Sequence, residues 1–131
     1  MRLEAPHLAL PLVRVAVGTI LATHGFAKAF LGFREPLAGF LATWGWPLPG
    51  ALAWAITVLE LGGGVLLALG VLRRPIAALF VLELTIGMLK VHAPHGWYTM
   101  GPGTNGVEFS VLILACLTAV IAGGRGRPAA G

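Results

Sequence analysis

The amino-acid sequence predicts an all-α integral membrane protein, an antiparallel four-helix bundle with a short interfacial helix in its first outer loop. Hydrophobic residues make up 57% of the 131 residues and charged residues only 11%, whereas a soluble domain carries about 25% charged residues. The apolar residues gather in four segments, each close to the roughly 20 residues that a helix needs to cross a bilayer. The four predicted spans are residues 8–30, 50–72, 75–92 and 106–124.

The first predicted helix carries Arg14, His24 and Lys28 inside its apolar run. At 100° per residue these three side chains fall within an arc of about 80°. Polar and charged side chains within a membrane almost always face the bundle interior, a cavity or a partner. We therefore expect this face of the helix to point inward.

The first outer loop, residues 31–49, is the longest and contains the predicted interfacial helix. Pro36 after Glu35 is typical of a helix start, where an acidic residue is also favourable. Apolar residues recur at helical spacing from Leu37 to Trp44. Such a short amphipathic helix suits the membrane surface, and its tryptophan suits the headgroup level.

The second predicted helix contains one charged residue, Glu60, followed by the small residues Gly63 and Gly64. Small residues let a neighbouring helix approach closely. Arg73 and Arg74 then lead directly into the third helix. The second and third helices are therefore expected to be adjacent and antiparallel.

The third predicted helix carries Glu83 and Lys90 on one face, and the fourth carries Glu108 near its start. Asn105 precedes the fourth helix, and asparagine is a favoured N-cap residue. Each of the four helices thus has one polar or small stripe. This pattern is typical of a bundle closed around a polar interior.

The depth of each charged residue limits which of them can pair. Counting about 1.5 Å per residue, Arg14 and Glu83 lie about 9 and 12 Å from the cytoplasmic edge and can meet. Glu60 lies near the midplane, within reach of Arg14 or His24. Lys28 lies close to the outer edge, which it shares with further titratable residues: Glu108, Lys90, His92 and His95.

The charged residues have two interpretations. They pair only to fix the register of the helices, or they form a ligand or proton site, which is the default interpretation of ionisable groups inside a membrane. The ligand or proton site candidates are Arg14, His24, Lys28, Glu60, Glu108 and Glu83, and the outer-rim candidates are Lys90, His92 and His95. No residue is assigned as catalytic.

Metal and cysteine chemistry are not indicated. His92 and His95 could bind a metal with Glu108, but the usual set of three or four ligands is not evident. We therefore predict no metal site and interpret the two histidines as interfacial polar residues. Cys116 is the only cysteine, so the chain has no intrachain disulfide and no cysteine cluster.

The net charge of +4 is better explained by membrane topology than by nucleic-acid binding. With four spans, three basic regions share one side of the membrane, and the positive-inside rule makes that side cytoplasmic. Their basic residues are Arg2, Arg73, Arg74, Arg125 and Arg127. We expect a multi-pass protein of a prokaryotic cell membrane, with both termini cytoplasmic, one domain over residues 1–124 and a disordered cytoplasmic tail over residues 125–131. No cleavable signal segment is evident.

The order and spacing of several short motifs resemble the DoxX family of small four-helix membrane proteins. The resemblance extends from Arg14 to Gly124. It rests on Arg14, the HGFAK motif at 24–28, ELGGG at 60–64, LG at 69–70, Arg73-Arg74, KVHAPHGW at 90–97 and GVEF at 106–109. It implies an antiparallel bundle whose site residues are Arg14, His24, Lys28, Glu60 and Glu108. Glu83 departs from the family pattern.

The family is named from its similarity to the small subunit of a thiosulfate:quinone oxidoreductase, and some members are linked to membrane redox complexes and oxidative-stress defence. The resemblance therefore implies a subunit serving a redox system, with a quinone as the possible cofactor and other membrane or redox proteins as partners. Two alternatives remain open: a non-catalytic scaffold or assembly subunit, and a small proton-coupled transporter. A homo-oligomer is compatible with each of them, and no nucleic-acid partner is expected.

Overall fold

A computed structural model describes residues 6–123, and over these residues the chain is all-α, as predicted. It contains five helices: α1 Pro6–Phe30, α2 Arg34–Thr43, α3 Pro49–Leu69, α4 Arg73–His95 and α5 Glu108–Ala122. The predicted tail at residues 125–131 lies outside the described residues, as do Arg2, Arg125 and Arg127.

Three of these helices are long and apolar enough to cross a membrane. They are α1 from His7 onward, α3 and α4. The predicted fourth span, residues 106–124, corresponds to α5, which is also apolar but has only 15 residues. Helix α5 begins at Glu108 without a side-chain cap, so the expected capping role of Asn105 is wrong. The carbonyl oxygen of Asn105 instead accepts a hydrogen bond from His92.

Two helices contain π turns that the sequence analysis did not predict. In α3 the π turn is Leu59–Gly63, and in α4 it is Met88–His92, followed by a 3₁₀ turn at Ala93–His95. A π turn inserts one residue into an α-helix and often occurs at functional sites. The two turns contain three of the predicted site residues, Glu60, Lys90 and His92.

The chain forms two compact units. One unit is the continuous segment Val15–Val71, and the other is formed, within the described residues, by residues 6–14 and 72–123. The continuous segment contains most of α1, all of α2 and all of α3. We refer to it as the Val15–Val71 unit.

In the Val15–Val71 unit, α1 and α3 touch at glycine positions. A Cβ atom on Gly18 would lie 2.6 Å from both the Gly64 carbonyl oxygen and the Ala68 nitrogen, and one on Gly25 would overlap the backbone of Leu61. As α1 advances from residue 18 to residue 25, its contacts on α3 move backward. The two helices are therefore antiparallel, and only glycine fits at this contact, which we call the glycine seam.

The short helix α2 confirms the predicted helix in the first loop. Glu35 lies in its first turn, as expected. The guanidinium carbon of Arg34 lies 3.9 Å from the ring centre of Trp54, a cation–π contact that joins α2 to α3. Leu41 is buried. The helix is therefore attached to the unit by a charged contact at its start and an apolar one near its end.

In the other unit, α4 packs against α5. The fully or nearly fully buried residues recur at helical spacing on both helices, which is typical of a packed helical interface. They are Ile76, Ala77 and Phe80 on α4 and Ile113, Leu117 and Val120 on α5. Both helices also carry exposed large apolar side chains, as expected for a surface that faces lipid. These are Leu79, Leu82 and Leu89 on α4 and Phe109, Val111 and Leu112 on α5.

Candidate functional site

The central feature of the Val15–Val71 unit is an ion pair between Lys28 and Glu60. The Nζ atom of Lys28 donates a hydrogen bond of 2.5 Å to Oε2 of Glu60. The Glu60 side chain is only 4% exposed, and the Lys28 side chain is 19% exposed. The carboxylate is thus enclosed, while the ammonium group lies at the edge of the buried region.

Helix geometry explains why these two side chains meet. The Cα–Cβ bonds of an α-helix tilt toward its N-terminus, and α1 and α3 are antiparallel. The side chains of Lys28 and Glu60 therefore lean toward each other from opposite directions. The backbone of α1 at Gly25 lies directly against Leu61, which brings both helices within reach of one lysine side chain.

His24 is the third titratable group of this arrangement. It lies one turn before Lys28 on α1, and the charges of Glu60 and Lys28 both act on it. His24 is exposed, unlike Glu60. The three residues form a Lys–Glu–His cluster that combines hydrogen-bond donors, one carboxylate acceptor and an imidazole capable of either role.

The ammonium group of Lys28 compensates the charge of the Glu60 carboxylate, which would be strongly unfavourable alone in a membrane interior. An isolated carboxylate in an apolar medium is strongly unfavourable, and pairing with Lys28 makes the two groups neutral overall. Buried ion pairs contribute little net stability compared with well-packed apolar side chains. The presence of this pair is therefore not explained by a gain in stability.

Glu60 has the expected neighbour His24, but its hydrogen-bond partner is Lys28, which was not expected beside it. Depth counting put Glu60 within reach of Arg14 or His24 and put Lys28 near Glu108 at the outer edge. The count located Cα atoms only and neglected the reach of the lysine side chain toward the N-terminus of its own helix. That reach carries the ammonium group of Lys28 inward to Glu60.

Arg14 and Glu83 belong to the other unit, where both are half-buried. The Nε atom of Arg14 and the Oε2 atom of Glu83 are each fully buried. Within residues 6–123, the Arg14 Nε atom donates no hydrogen bond. Both residues stay predicted site residues.

Glu108 closes the loop between α4 and α5. Its Oε1 atom accepts a hydrogen bond of 3.1 Å from the backbone N–H of Thr99, and its own N–H donates one of 3.0 Å to the carbonyl oxygen of Trp97. Gly106 packs so tightly against Trp97 that a Cβ atom would overlap its backbone. The sequence analysis missed this arrangement because loop hydrogen bonds follow no periodic pattern.

The outer-rim candidates lie at the end of α4. Lys90 and His95 are exposed, and the Nδ1 atom of His92 donates a hydrogen bond of 2.9 Å to the carbonyl oxygen of Asn105. Within the described part of the chain, no three His, Cys, Asp or Glu side chains are arranged to hold a metal ion.

An open apolar groove of about 360 Å³ also follows the α1–α3 contact in the Val15–Val71 unit. Phe26 and Lys28 point about 160° apart around α1, so the groove and the ion pair lie on opposite sides of the glycine seam. The groove is lined by Gly18, Thr19, Ala22, Thr23, Phe26, Leu61, Gly64, Val65, Ala68 and Leu69. The hydroxyl groups of Thr19 and Thr23 donate to carbonyls of their own helix, which leaves the groove surface apolar.

Comparison with known proteins identifies relatives of this chain. The DoxX family model matches residues 9–93. The chain is 32% identical over 102 residues to "Inner membrane protein YphA" of Escherichia coli (strain K12), covering 76% of this chain and 70% of that protein. It is 33% identical over 103 residues to "Putative oxidoreductase CatD" of Bacillus subtilis (strain 168), covering 79% and 69%. No solved structure matches the chain.

Proposed function

The chain belongs to the DoxX family of membrane proteins, and from this premise we propose that it is a membrane subunit serving a redox system. The Lys28–Glu60 pair, with His24, is its intramembrane polar site. The observation that carries this proposal is an enclosed carboxylate bonded to a lysine between two helices that are both candidate membrane spans. Ionisable groups at such depth are usually functional.

The ligand that this site suits is a lipid-soluble quinone. A quinone headgroup has two carbonyl oxygens that accept hydrogen bonds, and its reduction to a hydroquinone takes up two electrons and two protons. Lys28 and His24 can donate to a carbonyl oxygen, and Glu60 can accept from a hydroxyl group. The electrons come from a partner redox protein, and the residues of this chain bind the headgroup and exchange protons. The name of the relative CatD supports a link to oxidoreduction.

The proposed membrane arrangement is an antiparallel four-helix bundle in one domain, with α5 as the fourth span and α2 lying in the outer interface. Arg73 and Arg74 at the start of α4 favour a cytoplasmic position for the α3–α4 turn. Both termini are then cytoplasmic. The name of the relative YphA supports an inner-membrane location.

A specific observation favours a second candidate, a non-catalytic scaffold. The glycine seam and the Lys28–Glu60 pair both fix the register of α1 against α3, and a buried polar pair can act only as a register device. A proton-coupled transporter is a third candidate, supported by the enclosed carboxylate alone.

The test is to measure quinone binding to the purified protein after Glu60→Gln. We expect binding to be lost, because glutamine can no longer take up a proton or hold Lys28 by charge. Glu35→Gln is the matched control, since Glu35 is an exposed carboxylate in the first loop, and binding should be unchanged. Unaltered binding in Glu60→Gln would count against the site.

The exchange variant Lys28→Glu with Glu60→Lys separates the two main candidates. It restores an ion pair between the same two helices but reverses the positions of the donor and the acceptor. A scaffold should tolerate the exchange and keep its partner proteins. A quinone site should lose its ligand although the fold is retained.

A further inference from the structure

The end of α4 and the loop that follows it carry exposed cationic and aromatic side chains that the redox proposal does not use. We propose that the surface formed by Lys90, His95, Trp97, Tyr98 and Met100 binds the headgroup of an anionic phospholipid. We call it the loop surface. It goes beyond the proposed redox function and involves none of the residues of the Lys–Glu–His cluster.

The charge of this part of the chain complements a phosphate group. Between Glu83 and Glu108 the sequence contains no acidic residue, but it contains one lysine and two histidines. Lys90 and His95 are exposed. The carboxylate of Glu108 already accepts the N–H of Thr99, so the loop surface is left with a positive character.

The apolar side chains of the loop surface suit the boundary between lipid and water. Trp97, Tyr98 and Met100 are 53%, 62% and 72% exposed. They follow directly after His95, where the candidate span α4 ends. Tryptophan and tyrosine at the ends of spans sit at the level of lipid headgroups, and a neighbouring lysine can then meet the phosphate.

Hydrogen bonds join the two ends of the loop between α4 and α5. Four hydrogen bonds close its neck, so the exposed side chains stand on an ordered backbone and binding orders little additional chain. These bonds are Gly106 N–H to Tyr98 O at 2.9 Å, Val107 N–H to Gly96 O and Glu108 N–H to Trp97 O at 3.0 Å each, and Thr99 N–H to Glu108 Oε1 at 3.1 Å.

The competing ligand is an acidic protein surface, which carries negative charge as the phospholipid headgroup does. A phospholipid is favoured because the surface begins where a candidate membrane span ends, and because half or more of each of its apolar side chains is exposed there. At that depth a headgroup supplies the phosphate and its acyl chains supply the apolar contact. One lipid molecule therefore matches both parts of the surface.

The test uses the fluorescence of Trp97 in the full-length protein, with Trp44, Trp46 and Trp54 replaced by phenylalanine. The protein is placed in two kinds of phosphatidylcholine nanodisc. One contains phosphatidylglycerol with brominated acyl chains, and the other contains phosphatidylcholine with brominated acyl chains. Bromine quenches the fluorescence of a nearby tryptophan. We expect stronger quenching by brominated phosphatidylglycerol. Lys90→Gln should reduce this preference about fivefold, since one basic residue near an anionic lipid surface contributes about 1 kcal/mol.

Arg74→Gln is the matched control, because it removes an exposed positive charge at the opposite end of α4. Arg74→Gln should leave the preference for phosphatidylglycerol unchanged. Glu60→Gln should also leave this lipid preference unchanged, because Glu60 belongs to the proposed quinone site and not to the loop surface. Equal quenching by both lipids in the reference protein would overturn the proposal, as would a preference that survives Lys90→Gln together with His95→Gln. An acidic protein that co-purifies and is lost in Lys90→Gln, without any lipid preference, would also overturn it.

Discussion

Lys28 and Glu60 are 32 residues apart in the chain, and their charged atoms lie 2.5 Å apart. Lysine supplies a single flexible point charge, so the pair has one hydrogen bond and leaves the second carboxylate oxygen of Glu60 for other donors. The ion pair, the glycine seam and the π turn all lie at the contact between α1 and α3, so a change in one is expected to affect the others.

Removing one member of the ion pair should destabilise the protein more than removing both. Lys28→Met leaves the enclosed Glu60 carboxylate without its counter-charge. Breaking a buried pair typically costs about 3–5 kcal/mol. Because Lys28 is partly exposed, we expect a loss of about 3 kcal/mol in the free energy of unfolding, at the lower end of this range. The double variant Lys28→Met with Glu60→Met should recover most of this loss. Unfolding in detergent of both single variants and the double variant measures the coupling, and additive losses would contradict the prediction.

The glycine seam should not tolerate a methyl group. Gly25→Ala places a Cβ atom onto the backbone of Leu61, which cannot move as a side chain could. We expect a destabilisation of about 1–3 kcal/mol, the usual cost of overpacking. Gly62→Ala is the control, because nothing lies within 4 Å of its Cβ position. Thermal unfolding should show a clear decrease for the first variant only.

The π turn at Leu59–Gly63 should be required for the ion pair but not for the helix. Deleting Gly62 removes the inserted residue, so α3 can continue as a regular α-helix. Because the two halves of α3 then rotate relative to each other, Glu60 and Gly64 can no longer both keep their contacts with α1. We expect the coupling energy between Lys28 and Glu60 to fall to near zero while the helical content by circular dichroism is retained. An unchanged coupling energy would show that the turn does not orient Glu60.

Glu108 should keep the loop between α4 and α5 ordered through its hydrogen bond with Thr99. Glu108→Ala removes the acceptor of the Thr99 N–H, so hydrogen exchange over residues 96–107 should become faster. Glu108→Gln keeps an acceptor oxygen and should lie between the two, since a bond to a charged acceptor is about twice as strong as a neutral one. Exchange measured by mass spectrometry distinguishes the three proteins. Equal protection in Glu108→Ala and the reference protein would refute this role.

The sequence predicted the elements of this protein better than their contacts. Four spans were predicted from the lengths of the apolar segments, and three of them are long enough to cross a membrane, while the fourth is the shorter apolar helix α5. The helical spacing of apolar residues predicted the short helix in the first loop, because helix periodicity acts over many residues. The partner of Glu60 was missed because side-chain direction was neglected. Both π turns were missed because a single inserted residue leaves the apolar pattern almost unchanged. The Glu108–Thr99 contact was missed because it depends on loop geometry that no periodicity reports.

The glycine seam also has an entropic consequence. Gly18, Gly25 and Gly64 have no side-chain rotamers, so bringing α1 against α3 at these positions removes no side-chain conformational freedom. The extra backbone freedom of glycine is lost when each helix forms, and in a membrane that step precedes the association of helices. The contact therefore closes at little entropic cost. At this contact the side-chain ordering cost falls on the two long side chains of the ion pair, Lys28 and Glu60.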